Sequence, residues 1–292
     1  LDYTLHLETL RSDNIQRSYE EAFYPGGKGI NVSNVLTRLD VPNVALGFVA
    51  GFTGNEIERL VKELGIQSKF VHIAAGNSRV NVKIRPQDGT ETDINASGCD
   101  IDTPSLNAFY KQIEKLHDDD YLVVSGSVPK ALPSNIYETI LRRISSRPIN
   151  CAIDATGKLL RSTLKYKPFL IKPNKEELGE LFGQFVSTSD DVVRLAETLQ
   201  KEGARNVLVS MGSDGAILVT EDHKMFRAQR IRGTVVNTVG AGDAMTAGFI
   251  AGWLKHGDYQ KAINLGAAAG AATAFCESIA TKDEIYSIFN TL

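Results

Sequence analysis

The 292-residue sequence has only three cysteines, and none of them belongs to a CxxC pair. Cys99, Cys151 and Cys276 stand roughly 50 to 125 residues apart, which argues against a zinc knuckle or a disulfide framework. Such sparse, unpaired cysteines are typical of a reducing compartment, so we expect a cytoplasmic protein. No apolar run approaches the roughly 20 residues that cross a bilayer. Residues 1–25 also lack the apolar segment of a signal peptide, so we expect no membrane partner.

An excess of charge of one sign is missing as well. The chain has 32 Lys and Arg residues against 35 Asp and Glu residues, which gives a net charge of −3. The basic residues are scattered, whereas nucleic-acid-binding surfaces concentrate them in a patch or stripe. We therefore expect no nucleic-acid partner, and small-molecule chemistry becomes the leading expectation.

From about residue 44, short apolar runs alternate with amphipathic stretches of helical length. This alternation is typical of βαβ units and a mainly parallel sheet. The predicted strands are 44–49, 121–125, 149–154, 169–171 and 206–210. The predicted helices are 56–64, 105–116, 133–144, 175–182 and 190–201. The sequence thus predicts an α/β fold.

Two regions, 2–24 and 78–95, contain no helical pattern. Polar and apolar residues alternate over 79–85, so a strand there has one polar and one apolar face. The polar residues are Arg79, Asn81, Lys83 and Arg85. We interpret these regions as a small separate sheet whose polar face covers a ligand and whose apolar face is buried, for instance against another subunit. The alternative is an antiparallel extension of the main sheet.

A glycine-rich turn, Gly240-Ala241-Gly242, runs directly into a helix that begins with small residues. Amide groups at such a turn form a cradle for phosphate oxygens or a developing anion. Asp243, in the first turn of the helix, would lie beside that anion and suits a general base. The alternative is that the glycines only permit a tight turn and Asp243 caps the helix.

The common nucleotide-binding motifs are absent. Neither Gly-Lys pair in the chain is followed by Ser or Thr, and Met245 stands where a Rossmann GxGxxG needs its third glycine. P-loop and dinucleotide-binding functions therefore lose support.

A second glycine cluster surrounds Lys28, with Asn31 on the helix that follows. Glycines grouped in this way let the backbone approach a ligand closely, and Lys28 can contact an anionic group. Arg79, on the polar face of the predicted small sheet, is a candidate second cation for a phosphate. Taken alone, Arg79 is more typical of a surface arginine than of a ligand contact.

Asn174 and Glu177 follow a short strand and lie three residues apart, so they share one helix face. An amide and a carboxylate in this arrangement can position a magnesium-bound water, and they can equally form a capping box. The segment from Ser210 to Gly215 also follows an apolar strand, at a position where open α/β sheets bind ligands.

Together these motifs resemble the signatures of the PfkB-type carbohydrate kinases, which have a ribokinase-like fold. The matching segments are Gly26-Gly27-Lys28-Gly29-Ile30-Asn31, Lys172-Pro173-Asn174 with Glu177, and Val239-Gly240-Ala241-Gly242-Asp243. The resemblance implies one domain over 1–292, a three-layer α/β/α fold with a mainly parallel central sheet and a small β-sheet lid formed by about 2–24 and 78–95. It also implies a homodimer through that lid, and about ten further residues with a strand of the main sheet ahead of Leu1.

The resemblance further implies ATP- and Mg²⁺-dependent phosphorylation of a primary hydroxyl of a ketohexose phosphate. Segments 47–54 and 78–84 look most like those of 1-phosphofructokinases, which convert fructose 1-phosphate to fructose 1,6-bisphosphate. Tagatose-6-phosphate kinases are the alternative within the family. A catalytically silent sugar-phosphate-binding protein is the alternative of another class.

By the same resemblance, Asp243 is the catalytic base and the amides of Gly240, Ala241 and Gly242 stabilise charge on the transferred group. The residues implied for ATP are Lys172, Asn174, Glu177, Ser210, Gly212, Gly215 and Thr238. Glu177 would also hold magnesium through water. The residues implied for the sugar phosphate are Asp2, Gly27, Lys28, Asn31, Arg79 and Ser127, with Lys28 and Arg79 at its phosphate.

Overall fold

A computed structural model describes residues 1–11 and 13–292, and its helices and strands follow the predicted alternation. The strands are β1 (Asp2–Leu7), β2 (Glu20–Tyr24), β3 (Val44–Ala50), β4 (Gln67–Ile73), β5 (Asn81–Pro86), β6 (Thr92–Asn95), β7 (Tyr121–Ser125), β8 (Asn150–Asp154), β9 (Leu170–Ile171), β10 (Asn206–Ser210), β11 (Ala216–Val219) and β12 (Met225–Ala228). The α-helices are α1 (Lys28–Arg38), α2 (Gly51–Glu63), α3 (Thr103–Ile113), α4 (Ile136–Ile144), α5 (Gly157–Thr163), α6 (Lys175–Phe182), α7 (Ser189–Glu202), α8 (Ala241–His256), α9 (Tyr259–Ala274) and α10 (Lys282–Phe289).

The main sheet has six strands in the order β12-β11-β10-β9-β8-β7. Strands β7 to β10 are parallel, β11 pairs antiparallel with β10, and β12 pairs antiparallel with β11. Strands β3 and β4 form a parallel pair of their own. Because β7 to β10 are parallel, their carboxyl ends lie at one edge of the main sheet, where α/β proteins bind ligands.

Alternating side chains of each strand supply two hydrophobic cores. On β10, Val207 and Val209 pack with residues of α3 to α7, whereas Leu208 packs with residues of α1, α8, α9 and α10. Because successive side chains of a strand point to opposite faces, helices cover both faces of the sheet. The predicted three-layer α/β/α fold is confirmed.

The four remaining strands form a separate sheet in the order β2-β1-β5-β6. In its register Asp2 lies opposite Asn81, and Tyr3 lies opposite Val82. Paired residues share a face, so Asp2, Asn81 and Lys83 lie on the polar face, and all three line the cavity. The other face carries a cross-strand row of apolar side chains. This row consists of Phe23, Tyr3, Val82 and Ile94.

Several elements differ from the sequence prediction. Helix α2 begins at Gly51, five residues before the predicted start, because its first turn follows β3 directly. Helix α4 begins at Ile136, later than the predicted residue 133, because the Ile136 amide closes a turn onto the Pro133 carbonyl. The prediction also omits α9, which is buried on nearly all sides and so lacks an amphipathic period. Among the described residues, no helix is both long and apolar enough to cross a membrane.

Helices α8 and α9 pack unusually closely through small residues. A Cβ added at Gly248 would lie 2.6 Å from the Leu265 carbonyl oxygen and 2.8 Å from the Ala269 Cβ. At Gly266 it would lie 2.9 Å from the Met245 carbonyl oxygen. Glycine at these positions therefore sets the position of α8, which begins at the predicted anion-binding turn.

We expect Gly248→Ala to lower the free energy of unfolding by about 1–3 kcal/mol, because the added methyl group must push the two helices apart. Alanine favours an isolated helix by about 1 kcal/mol over glycine, and the expected loss of stability already includes this gain. Urea denaturation measures the free energy of unfolding of both proteins. The exposed Lys261→Ala on α9 is the control, with a change within about 0.5 kcal/mol. A Gly248→Ala protein as stable as the parent would contradict this account of the helix pair.

Candidate active site

One cavity collects all six residues that the sequence predicts for sugar binding. Its lining includes residues of the four-stranded sheet, the start of α1, the end of β7 and the start of α8. The predicted residues on its lining are Asp2, Gly27, Lys28, Asn31, Arg79, Ser127, Gly240 and Asp243. Residues far apart in the sequence thus open onto one space.

Asp243 lies in the first turn of α8 and is only 4% exposed. Its Oδ2 accepts a hydrogen bond of 2.8 Å from Asn31 Nδ2. Burial raises the pKa of Asp243 to about 6, and the Asp154 carboxylate adds to the rise, although Asn31, Lys28 and Lys172 oppose it. A carboxylate with a pKa close to neutral is well suited to accept a proton from a hydroxyl.

The turn before α8 presents backbone amides beside this carboxylate. Gly240 has φ 81°, a left-handed conformation that favours glycine. The first helical hydrogen bond runs from the Ala244 amide to the Gly240 carbonyl, so the amides of Gly242 and Asp243 have no acceptor within the helix. The Ala241 amide instead donates to the Thr238 carbonyl at 3.2 Å. The amides after Ala241 are thus the best placed to receive an anion.

Lys172 brings a positive charge to the same turn. A Cβ added at Gly242 would lie 3.2 Å from Lys172 Nζ, so the ammonium group lies directly against the glycine backbone. Lys172 is 5% exposed, and its Nζ lies 3.7 Å from Asp154 Oδ2. Lys28 Nζ lies 3.4 Å from the other oxygen of the same carboxylate. Charges from β8, the end of β9 and the start of α1 therefore meet here.

On the polar face of the four-stranded sheet, Asp2 is held from two sides. Asn81 Nδ2 donates to Asp2 Oδ1 at 2.8 Å, and Lys83 Nζ lies 3.3 Å from Asp2 Oδ2. A Cβ at Gly26 would collide with this carboxylate, so the glycine allows the close approach. Asp2 is thereby fixed at the cavity.

The residues predicted for ATP lie mainly on neighbouring loops. Asn174 Oδ1 accepts from the Glu177 amide at 2.7 Å, and Glu177 Oε2 accepts from the Asn174 amide at 2.8 Å, which is a capping box. Asn174 also forms a β-bridge with Ser210, which places the ends of β9 and β10 side by side. The turn Gly212–Asp214 follows β10, and Gly215 packs tightly against the Ala228 carbonyl. These residues form a second group, beside Lys172.

Sequence reasoning did not single out Asp154, Asn81 or Lys83 as site residues. Asp154 ends an apolar strand, and the rule that ligands bind at the carboxyl ends of parallel strands could have found it. Asn81 and Lys83 belong to the predicted polar strand face, but only Arg79 of that face received a role.

The fold and this site define a class of enzyme, since a buried base, a helix amino terminus and adjacent lysines suit phosphoryl transfer. A family model described as pfkB family carbohydrate kinase matches residues 3–285. The chain belongs to this family, and the resemblance stated from the sequence motifs is confirmed.

Characterised relatives include sugar-phosphate kinases. The chain is 39% identical to a 1-phosphofructokinase of Bacillus subtilis over 99% of this chain and 94% of that protein. It is 32% identical to a D-tagatose-1-phosphate kinase of Bacillus licheniformis over 96% and 91% of the two chains. A crystal structure of phosphofructokinase-2 from Escherichia coli with substrates and products superposes with a TM-score of 0.92 at 25% identity, covering 100% of this chain and 96% of that chain.

The raised pKa of Asp243 predicts that Asp243→Asn stabilises the protein at pH 8. The folded-state pKa of about 6 exceeds the ordinary value of 3.8, so ionised Asp243 costs about 3 kcal/mol above pH 6. The cost shrinks as the pH falls from 6 to 3.8, and so should the gain of the variant. Urea denaturation at pH 8 and at pH 4.5 measures the gain in stability of the variant at each pH, with the exposed Asp100→Asn as control. A variant less stable than the parent at pH 8 would refute the assignment.

Proposed function

We propose that this protein transfers the γ-phosphoryl group of ATP to the C6 hydroxyl of fructose 1-phosphate, giving fructose 1,6-bisphosphate. The observation that carries the proposal is Asp243, buried at the amino terminus of α8 and opening onto a cavity that Lys28 and Arg79 also line. The similarity to a 1-phosphofructokinase over nearly the whole chain supports the choice of substrate.

In this reaction Asp243 accepts the hydroxyl proton while the hydroxyl oxygen bonds to the γ-phosphorus. The bond from that phosphorus to the bridging oxygen of ATP breaks, and ADP leaves. Negative charge on the transferred group is stabilised by Lys172 and by the amides of Gly242 and Asp243. Asn31 holds the Asp243 carboxylate in place through its hydrogen bond.

The sugar phosphate takes the cavity. We place its phosphate against Lys28 and Arg79, because paired cations suit a dianion. Asp2, Asn31, Ser127 and the backbone at Gly27 lie on the same lining, and we place the sugar hydroxyl groups against them.

We place ATP against the second group of residues at the ends of β9 and β10, beside Lys172, and against Thr238 in the turn before α8. The residues of the second group are Asn174, Ser210, Gly212 and Gly215. Magnesium would bind near Glu177 through water, where one carboxylate oxygen is already used by the Asn174 amide. Bound magnesium neutralises phosphate charge, and because it takes most ligands from phosphate and water it needs few protein ligands. Among the described residues, no three acidic, His or Cys side chains cluster around a metal position.

A second candidate substrate is D-tagatose 1-phosphate, since a relative at 32% identity bears that name. Tagatose differs from fructose in the configuration at C4, so the reacting hydroxyl and the phosphate keep their places. Tagatose 6-phosphate, the alternative predicted from the sequence, exchanges those two ends.

We expect kcat/KM to be highest with fructose 1-phosphate when ATP consumption is followed with all three sugar phosphates. A higher value with either tagatose phosphate would overturn the substrate assignment. Asp243→Asn serves as the matched variant, with kcat lowered about 10²–10⁴-fold. Calorimetric binding of fructose 1-phosphate should persist in that variant. Binding without turnover in the parent protein would instead identify a catalytically silent sugar-phosphate-binding protein.

We propose that the four-stranded sheet is a lid over the sugar and that two copies of the chain associate through its apolar face. Phe23 is 48% exposed and Ile94 is 56% exposed, although both belong to a continuous apolar row. Tyr3 and Phe23 stack with ring centroids 4.4 Å apart, so the row is an ordered surface. Its polar reverse side faces the cavity.

Location in the cytoplasm, predicted from the sparse cysteines, stays a prediction.

Ile94→Asp should convert the dimer to a monomer, because a charge would be buried against the second copy. Light scattering coupled to gel filtration measures the mass. Phe185→Asp is the control, since Phe185 is 89% exposed and lies outside the lid. A parent protein that is monomeric, or a dimer that Ile94→Asp leaves intact, would refute the lid interface.

A further inference from the structure

A buried carboxylate outside the assigned machinery lies at the carboxyl end of β8. Asp154 is 1% exposed, and its two oxygens face two different lysines. Oδ1 lies 3.4 Å from Lys28 Nζ, and Oδ2 lies 3.7 Å from Lys172 Nζ. Asp154 thus contacts both ammonium groups of the site.

The two lysines belong to different parts of the site. Lys172 lies against the Gly242 backbone at the turn that receives the transferred group, whereas Lys28 lines the sugar cavity. Each side chain is flexible and each ammonium group repels the other. A fixed negative charge between them therefore determines where both point.

The electrostatics of the cluster agree with this arrangement. Burial alone would lower the pKa of Lys28, but the Asp154 carboxylate, with Asp243 and Glu177, outweighs burial and raises it. In turn, Asp154 Oδ2 receives no hydrogen bond from the part of the chain that the structure describes. A buried carboxylate so poorly bonded is stabilised chiefly by the lysines beside it.

We infer that Asp154 is a positioning residue for phosphoryl transfer, which holds Lys28 toward the sugar phosphate and Lys172 at the anion-binding turn. It acts through the two lysines and donates or accepts no proton itself. The inference rests on the proposed function for its catalytic meaning, but the charge coupling on which it depends can be measured without any assay of activity.

The Asp154→Asn substitution keeps the shape of the side chain and removes its negative charge. We expect the pKa of Lys28 to fall in this variant, as measured by NMR titration of protein carrying ¹³C at the lysine Cε. We also expect kcat/KM for the sugar phosphate to fall roughly 100-fold, because misplaced groups at a reacting centre cost about that much.

The pH profile gives a readout that a merely structural role would not move. Asp243 faces Asn31, Lys28, Lys172 and Asp154, and of these only Asp154 is negative. Removing that charge should shift the acid limb of kcat/KM from about pH 6 to lower pH. Asp154→Glu keeps the charge, so it should keep the acid limb while losing part of kcat/KM through altered geometry.

A double-mutant cycle tests whether Asp154 acts through the lysines. In a Lys28→Ala and Lys172→Ala background, Asp154→Asn should have little further effect on kcat/KM. Cys151→Ala, another buried change on β8, is the control and should lower stability without moving the acid limb. Should Asp154→Asn not fold, Asp154→Glu carries the cycle.

The outcomes separate this inference from the proposed function. An inactive parent protein whose Lys28 pKa still falls in Asp154→Asn would overturn the proposed function and leave the charge coupling standing. An active parent in which Asp154→Asn changes neither the Lys28 pKa nor the acid limb, or in which its effect multiplies with those of the lysine variants, would overturn the inference.

Discussion

Two carboxylates buried at the same edge of the sheet impose the constraint on which the site depends. Asp154 and Asp243 are almost fully withdrawn from water, and the charge of the first raises the pKa of the second. Two like charges in a medium of low polarity cannot both ionise freely unless cations lie close by. Lys28 and Lys172 supply those cations. As a result, Asp154 is held between the two lysines, whereas Asp243 has a pKa near neutrality. The same chemical group thus differs in its behaviour because its surroundings differ.

The fold brings these groups together because each lies at the end of a rigid element. Asp154 ends β8, Lys172 follows β9, and Lys28 begins α1. Asp243 lies in the first turn of α8, whose position is fixed by close packing against α9 at Gly248. Groups on the ends of strands and helices are held more precisely than groups on long loops, and phosphoryl transfer depends chiefly on such positioning. Gly248 and Gly266, which do not line the cavity, therefore contribute to the chemistry through the position of α8.

Much of this arrangement is visible in the sequence, and the parts that are not share a physical reason. Strands β7 and β10 and helix α6 have their predicted bounds, since apolar runs and the capping box at Asn174 are local signals. The glycine turns are local as well. Helix α9 escapes prediction because burial on nearly all sides removes its period. For Asp154 the sequence shows only its place at the carboxyl end of a strand, because Lys28, the partner that gives it a role, is distant in the chain.

In the four-stranded sheet, the positions of the side chains on one face depend on those on the other. The register that sets Asp2 beside Asn81 on the polar face also sets Tyr3 beside Val82 on the apolar face. Adjacent residues of one strand cannot shift independently, because a slip of one residue would exchange the two faces. Whatever covers the apolar row therefore also restrains Asp2, Asn81 and Lys83 at the cavity. A sheet this small has little core of its own, so contact on the apolar face would hold the sugar-facing carboxylate more firmly than its own strands can.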